Sequence, residues 1–184
     1  MAETTMRLFV AVEVPAHVRD AVDAATEPLR RRQPAARWVA PNAYHLTLQF
    51  VGWVDDAGAR SVEGACAEAA GSVGPFALRL TGGAGMFGNG VLWAALEDSR
   101  GLHAVAAALR EAMVAGGLSV EERPFHAHLT LARAGRTTRL PRDLAGAYDG
   151  PPSGWEVERL VLLRSRLRRT GAEYSPRGAW LLQG

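Results

Sequence analysis

The chain of 184 residues contains no lysine, a single cysteine and no long apolar run. One cysteine, Cys66, excludes an internal disulfide. It lies in an alanine-rich stretch with no adjacent base, so a small buried hydrophobe is favoured over a catalytic thiol. The apolar runs are short pieces such as Arg7–Val14 and Leu160–Leu163, far below the ~20 residues of a bilayer-spanning helix. The first ten residues, MAETTMRLFV, lack the apolar core and cleavage site of a signal peptide. These absences predict a soluble, cytoplasmic protein without a membrane partner.

The absence of lysine makes every permanently charged basic side chain an arginine. Formal net charge is only +2, yet from Arg123 onward eleven arginines stand against five acidic residues. Arginine offers paired donors to phosphate, which suits an anionic ligand. A chain rich in Ala, Gly and Arg can show the same bias from composition alone, so the excess supports a functional reading without carrying it. With 48% hydrophobic residues, the length suffices for one core, or for two small lobes sharing one.

Hydrophobic periodicity orders the chain. Arg7–Val14 reads as a strand, and Pro15 opens a helix whose Val18, Val22, Ala25 and Leu29 recur at helical spacing through Arg31. Trp38–Pro41 is a loop or short extended piece, and Tyr44–Val51 is a strand. Asp55 or Asp56 can cap a second helix ending near Gly71. Phe76–Leu80 alternates as a strand, the glycine-rich Thr81–Gly90 reads as a loop, and Val91–Leu96 is another strand. A third helix carries Leu102, Val105, Ala106, Leu109 and Met113 on one stripe and stops at Gly116–Gly117. Ala127–Arg133 is a strand, Arg136–Gly154 mostly loop with room for one helical turn, Glu156–Leu163 a strand, and Ala179–Leu182 a final edge strand. This order predicts an α+β fold with largely antiparallel sheets.

Two tetrapeptides repeat without change: His45-Leu46-Thr47-Leu48 and His128-Leu129-Thr130-Leu131. Each closes a strand–helix–strand segment, so residues 1–184 are expected to form one domain of two pseudo-equivalent lobes. In a strand, side chains alternate between faces. His and Thr of each motif therefore share one face, while the leucines pack on the other. Should the two strands be pseudo-symmetric neighbours, two imidazoles and two hydroxyls converge. Such a set suits phosphoester cleavage. A neutral imidazole can take a proton from water, and an imidazolium can give one to the leaving oxygen. The hydroxyls can donate to the non-bridging oxygens, where charge gathers.

A lone His-x-Thr is commonplace, but two copies among five histidines are not. A metal site is the sharper competitor. Two histidines are too few for it, and no Asp, Glu or Cys stands at ligand spacing beside them. His126 can share the face of His128; His17 and His103 are expected in solvent.

The doubled motif and its flanks, RLFVAVEVP, RWVAPNAYHLTLQFVG, VLWAAL, RPFHAHLTLAR and VLLRSRLRRTGAEY, resemble the bacterial and archaeal RNA 2′,3′-cyclic phosphodiesterases, also called 2′-5′ RNA ligases, of the 2H phosphoesterase superfamily. The resemblance spans nearly the whole chain. It implies two pseudo-symmetric lobes with antiparallel sheets around a central cleft and helices on the outer faces. It also implies a catalytic tetrad of His45, Thr47, His128 and Thr130, no cofactor and no metal. His45 would protonate the leaving O3′ and His128 would activate water; the reverse assignment fits the residues equally. The substrates would be RNA ends or nucleoside 2′,3′-cyclic phosphates, with no obligate protein partner. Ser165 and Arg166 would border the cleft. Arg133 would face away from His128 in a regular strand, although it could reach phosphate at the strand end. Phe50 shares the parity of neither His45 nor Thr47 and reads as core. Tyr174 and Trp93 could stack on a base, although core packing is favoured for both. The chain departs from relatives at Gly88-Asn89-Gly90, which is short and lacks a basic residue, and at His126-Ala127, where a proline is common. Ligation, the reverse reaction, and a non-enzymatic RNA-binding module are the competing functions. The matched imidazoles argue against the module, because binding needs only arginines and aromatics.

Overall fold

The computed structural model describes residues 5–88, 90–121, 123–135, 138–168 and 171–184. The sequence expectations at Asn89 and Arg136 fall outside these residues. The strands are β1 (Met6–Glu13), β2 (Arg37–Trp38), β3 (His45–Val54), β4 (Phe76–Phe87), β5 (Val91–Leu96), β6 (Leu129–Arg133), β7 (Ser153–Val157), β8 (Arg159–Arg168) and β9 (Gly171–Leu181). The helices are α1 (Ala16–Arg32), α2 (Asp56–Ser72) and α3 (Arg100–Ala115).

Local chemistry sets the helix ends. Pro15 precedes α1, and Arg30, Arg31 and Arg32 occupy its last turn, where positive charge complements the exposed carbonyls. The Asp55 carboxylate accepts from the Gly58 N–H at 2.7 Å, which fixes the start of α2. Ser99 does the same for α3 by accepting from the Leu102 N–H at 3.3 Å. Among the described residues, no helix is long and apolar enough to cross a membrane.

The fold is α+β, as the patterning predicts. One sheet has the order β3-β1-β8-β9 and the other β2-β6-β5-β4-β7, and every pairing is antiparallel. The first β-α-β segment (β1, α1, β3) places its outer strands side by side in one sheet. The second (β5, α3, β6) does the same in the other. A single core joins both sheets and the helices. It takes Leu8, Val10, Val12, Leu46 and Leu48 from one sheet and Leu92, Ala94, Leu129 and Leu131 from the other. The four leucines of the two HLTL motifs are at most 6% exposed. Each contributes roughly 1.5–3 kcal/mol on burial, which anchors the histidine-bearing strands. On the opposite face of the first sheet, Phe9, Ala11 and Val161 form a separate small cluster.

Two expectations are corrected. The segment read as a glycine-rich loop is strand as far as Phe87, because Gly85 lies directly beneath the Trp93 ring and pairs with it in β5. The single strand expected over Glu156–Leu163 is two strands in different sheets. β7 pairs with β4, whereas β8 pairs with β1. The chain crosses between the sheets at Glu158, whose carbonyl accepts from the Leu182 N–H at 2.8 Å.

Candidate active site

His45 opens β3, and His128 immediately precedes β6. β3 and β6 contact each other where the two sheets meet. The ring environments of the two histidines match. Nδ1 of His45 lies 2.7 Å from the Ala43 carbonyl, and Nδ1 of His128 lies 2.8 Å from the His126 carbonyl. A carbonyl only accepts, so Nδ1 carries the proton in both rings and Nε2 is left for chemistry. The same two-residue reach, made twice, fixes tautomer and ring orientation together.

Both histidines titrate below the ordinary imidazole range. For His45 the main cause is burial; the positive charges of Arg133 and His128 add to it, and the hydrogen bond to Ala43 opposes it. For His128 burial again leads, with His126 and Arg133 adding to it and the hydrogen bond to His126 opposing it. Arg133 thus acts on both rings, and His128 acts on His45. The two imidazoles lie within one electrostatic neighbourhood.

How Arg133 reaches that neighbourhood is a departure from the regular strand. Trp93 pairs with Thr130 and Leu92 with Ala132, so Leu131 is an extra residue in β6. Leu131 and Ala132 are both fully buried, and Arg133 is exposed. The bulge reverses the alternation and returns Arg133 to the face of His128 and Thr130. β3 does the same at the equivalent place. Ala11 pairs with Thr47 and Val10 with Gln49, leaving Leu48 as the extra residue. Phe50, read as core from its parity, is instead 45% exposed on the His45 face. Phe50 and Arg133 therefore occupy equivalent positions, five residues after each histidine.

Aromatic rings pack against both histidines. Phe9 lies 4.8 Å and Tyr174 5.0 Å from the His45 ring, centroid to centroid. Phe87 lies 4.9 Å from His128, and Trp93 lies 6.4 Å away. His126 stacks on His128 at 6.2 Å with an interplanar angle of 22°. Tyr174 is not core: it is 36% exposed and packs edge-on to His45. Ser165 is 5% exposed, its hydroxyl without a partner among the described residues. Arg166 alternates to the other face of β8, beside Arg164, whose partner Leu8 belongs to the common core. The structure thus brings His45, Thr47, His128, Thr130, Arg133 and Tyr174 to one region and leaves Arg166 outside it. Phe9 and Phe87 are members that the sequence reading missed. Phe9 opposes Phe50 across the β1–β3 ladder and follows the alternation of β1, a signal that was present but pointed only to a strand.

Among the described residues, no group of three or more His, Cys, Asp or Glu side chains is arranged to hold a metal ion. Cys66 is buried on α2, and burial pushes its thiol up to about 12.

A sequence model described as the 2′-5′ RNA ligase superfamily matches residues 14–169. The chain belongs to this superfamily. Superfamily members with curated descriptions include an RNA 2′,3′-cyclic phosphodiesterase of Bacillus subtilis, 31% identical over 72% of this chain and 74% of its own length. The protein of the same description from Escherichia coli is 30% identical over 96% of both chains. Among solved structures, that of E. coli LigT complexed with 3′-AMP superimposes with a TM-score of 0.77 at 28% identity, covering 98% of this chain and 100% of LigT. The shared architecture is therefore that of the superfamily over essentially the full described chain.

Proposed function

We propose that this protein is a metal-independent RNA 2′,3′-cyclic phosphodiesterase, a single-domain cytoplasmic hydrolase that opens the cyclic phosphate at RNA ends. The observation that carries the proposal is the matched pair of imidazoles, each with Nδ1 held by the carbonyl two residues upstream and Nε2 without a partner among the described residues, coupled to each other and to Arg133. The relatives described as RNA 2′,3′-cyclic phosphodiesterases support the substrate class.

Nε2 of neutral His128 takes a proton from water as the water oxygen attacks phosphorus. The P–O3′ bond breaks, and Nε2 of protonated His45 delivers a proton to O3′. The product carries a 2′-phosphomonoester and a free 3′-hydroxyl. Proton exchange with solvent then resets the pair. Acid and base each supply roughly 10²–10⁴-fold. Thr47 and Thr130 donate to the non-bridging oxygens, and Arg133 neutralises the charge that develops there. Burial keeps both imidazoles neutral in the empty site, and the incoming phosphodiester anion is the charge that allows one of them to hold a proton. With an RNA 5′-hydroxyl in place of water as the nucleophile, the same ring opening joins the two ends through a 2′-5′ phosphodiester and is ligation, the reaction in the superfamily's description.

The test is incubation with a nucleoside 2′,3′-cyclic phosphate in excess EDTA, followed by identification of the monoester. The expected result is undiminished turnover to the 2′-phosphate. His45→Ala and His128→Ala each abolish it while the protein stays folded. Loss of activity on chelation, or full activity in either variant, would overturn the proposal.

A further inference from the structure

The face that carries His45 does not end at Phe50. Val51 is a second extra residue in β3, since Leu8 pairs with Gly52 and Phe9 with Phe50. Gly52 takes up the left-handed backbone there, at φ +85°. The outcome is that His45, Thr47, Phe50 and Trp53 all lie on one side of the strand, opposite Glu13, Ala11, Phe9 and Arg7. Trp53 is 66% exposed, a large apolar surface left open on a strand that has a buried core on its other side. Arg7 is its cross-strand neighbour, and the row continues to Ser165 and Tyr174.

We propose that Trp53 and Arg7 form a subsite for the nucleotide preceding the cyclic end, so that an RNA strand is preferred over a free cyclic mononucleotide. This rests on the phosphodiesterase reading of the His45–His128 site. Trp53 stacks the base, and Arg7 pairs with the phosphate that joins this nucleotide to the terminal one. Three observations favour RNA as the occupant. The surface is continuous with the site, because Phe9 lies 4.8 Å from His45 and 6.1 Å from Phe50. Trp53 lies two rungs beyond Phe50, since the partner strand advances only from Phe9 to Arg7, ~7 Å along a strand, within reach of a neighbouring nucleotide. Charge also selects the direction. Neither the Trp53 row nor the Phe50 row contains a carboxylate, and Arg7 has no acidic partner among the described residues. In the other direction the His45 row meets Glu13, a carboxylate that already engages Arg159 at 2.7 and 2.9 Å and would repel a phosphate. An aromatic face beside an unengaged arginine is the pairing by which proteins hold single strands without reading sequence.

The experiment compares kcat and KM for a short oligoribonucleotide ending in a 2′,3′-cyclic phosphate with those for a nucleoside 2′,3′-cyclic phosphate. Trp53→Ala should raise KM for the oligonucleotide on the order of tenfold, the loss of one stacked base. Its constants for the mononucleotide should not change, and Trp53→Phe should retain most of the wild-type KM. Arg7→Gln should lower the slope of log KM against log salt by about 0.7 for the oligonucleotide alone. An oligonucleotide KM unaffected by Trp53→Ala would assign the face to something other than RNA and overturn the subsite. An equal loss on both substrates would do the same, by making Trp53 a structural residue. Wild-type protein inactive on both substrates is a separate outcome, which removes the phosphodiesterase reading and the subsite with it.

Discussion

Replacing Gly85 by alanine should damage His128 without touching it. Gly85 pairs with Trp93 across β4 and β5. A Cβ built on Gly85 would lie 2.3 Å from Trp93 Cζ2 and 2.5 Å from Cη2. An ordinary carbon–carbon separation is about 3.5 Å, so the indole must withdraw by about 1 Å. The rings packed against the indole are Phe87 at 5.2 Å and His126 at 5.0 Å, and a displaced indole presses on them. Phe87 and His126 both pack on the His128 ring. Overpacking of this kind costs about 1–3 kcal/mol, equivalent to roughly 2–4 °C in Tm per kcal/mol for a chain of this size. A displacement near 1 Å at a reacting group costs about 10²-fold in rate. Calorimetry and the hydrolysis of a nucleoside 2′,3′-cyclic phosphate read the two effects. Trp93→Leu in the Gly85→Ala background removes the clash and should recover most of the lost Tm. A Gly85→Ala protein with wild-type Tm and kcat would refute the claim that the Trp93 layer buttresses His128.

Three further outcomes follow from the same geometry. Both site histidines titrate below their usual range in the free protein, so kcat/KM should peak on the acidic side of neutrality and fall as the acid loses its proton. The bound phosphate anion raises both values, so the kcat profile should lie to higher pH; coincident profiles would contradict this. Arg133→Gln removes a positive charge felt by both rings, which should shift the alkaline limb of kcat/KM upward and weaken binding of a 2′-phosphomonoester by about 10–100-fold; an unmoved limb would mean that Arg133 lies beyond electrostatic reach. Finally, a histidine with a lowered folded pKa adds stability that is fully present above its unfolded value near 6.5 and is lost as pH falls through the folded one. Tm should therefore drop between pH 7 and pH 5, and the drop should be smaller in a His45→Ala/His128→Ala double variant.

The strand-and-helix order was legible because each element carries a strong local signal. The cap at Asp55 and the buried stripes of α1 and α3 are local features. The HLTL pair was legible for the same reason, since alternation alone separates His and Thr from the leucines. The extra residues at Leu48, Val51 and Leu131 were not legible, because a bulge depends on the partner strand and leaves no local mark. Missing them put Phe50 and Arg133 on the wrong face by parity. Glycine content likewise suggested a loop over Thr81–Gly90, whereas the strand runs to Phe87 and Gly85 permits close approach of an aromatic ring within it. Such an approach involves residues distant in sequence. The change of sheet at Glu158 has the same character: Val157 and Val161 both fall in the strand read over Glu156–Leu163, and only their partners, Phe76 in β4 and Ala11 in β1, separate them.

The most direct measurement is a 15N NMR titration of the His45 and His128 rings with a nucleoside 2′-phosphate. Two imidazoles meeting over one phosphate should give Nε2 signals that respond with a single dissociation constant, and both pKa values should rise on saturation. Response of only one ring, or two separable affinities, would show that the rings do not share a ligand and would contradict the two-histidine mechanism.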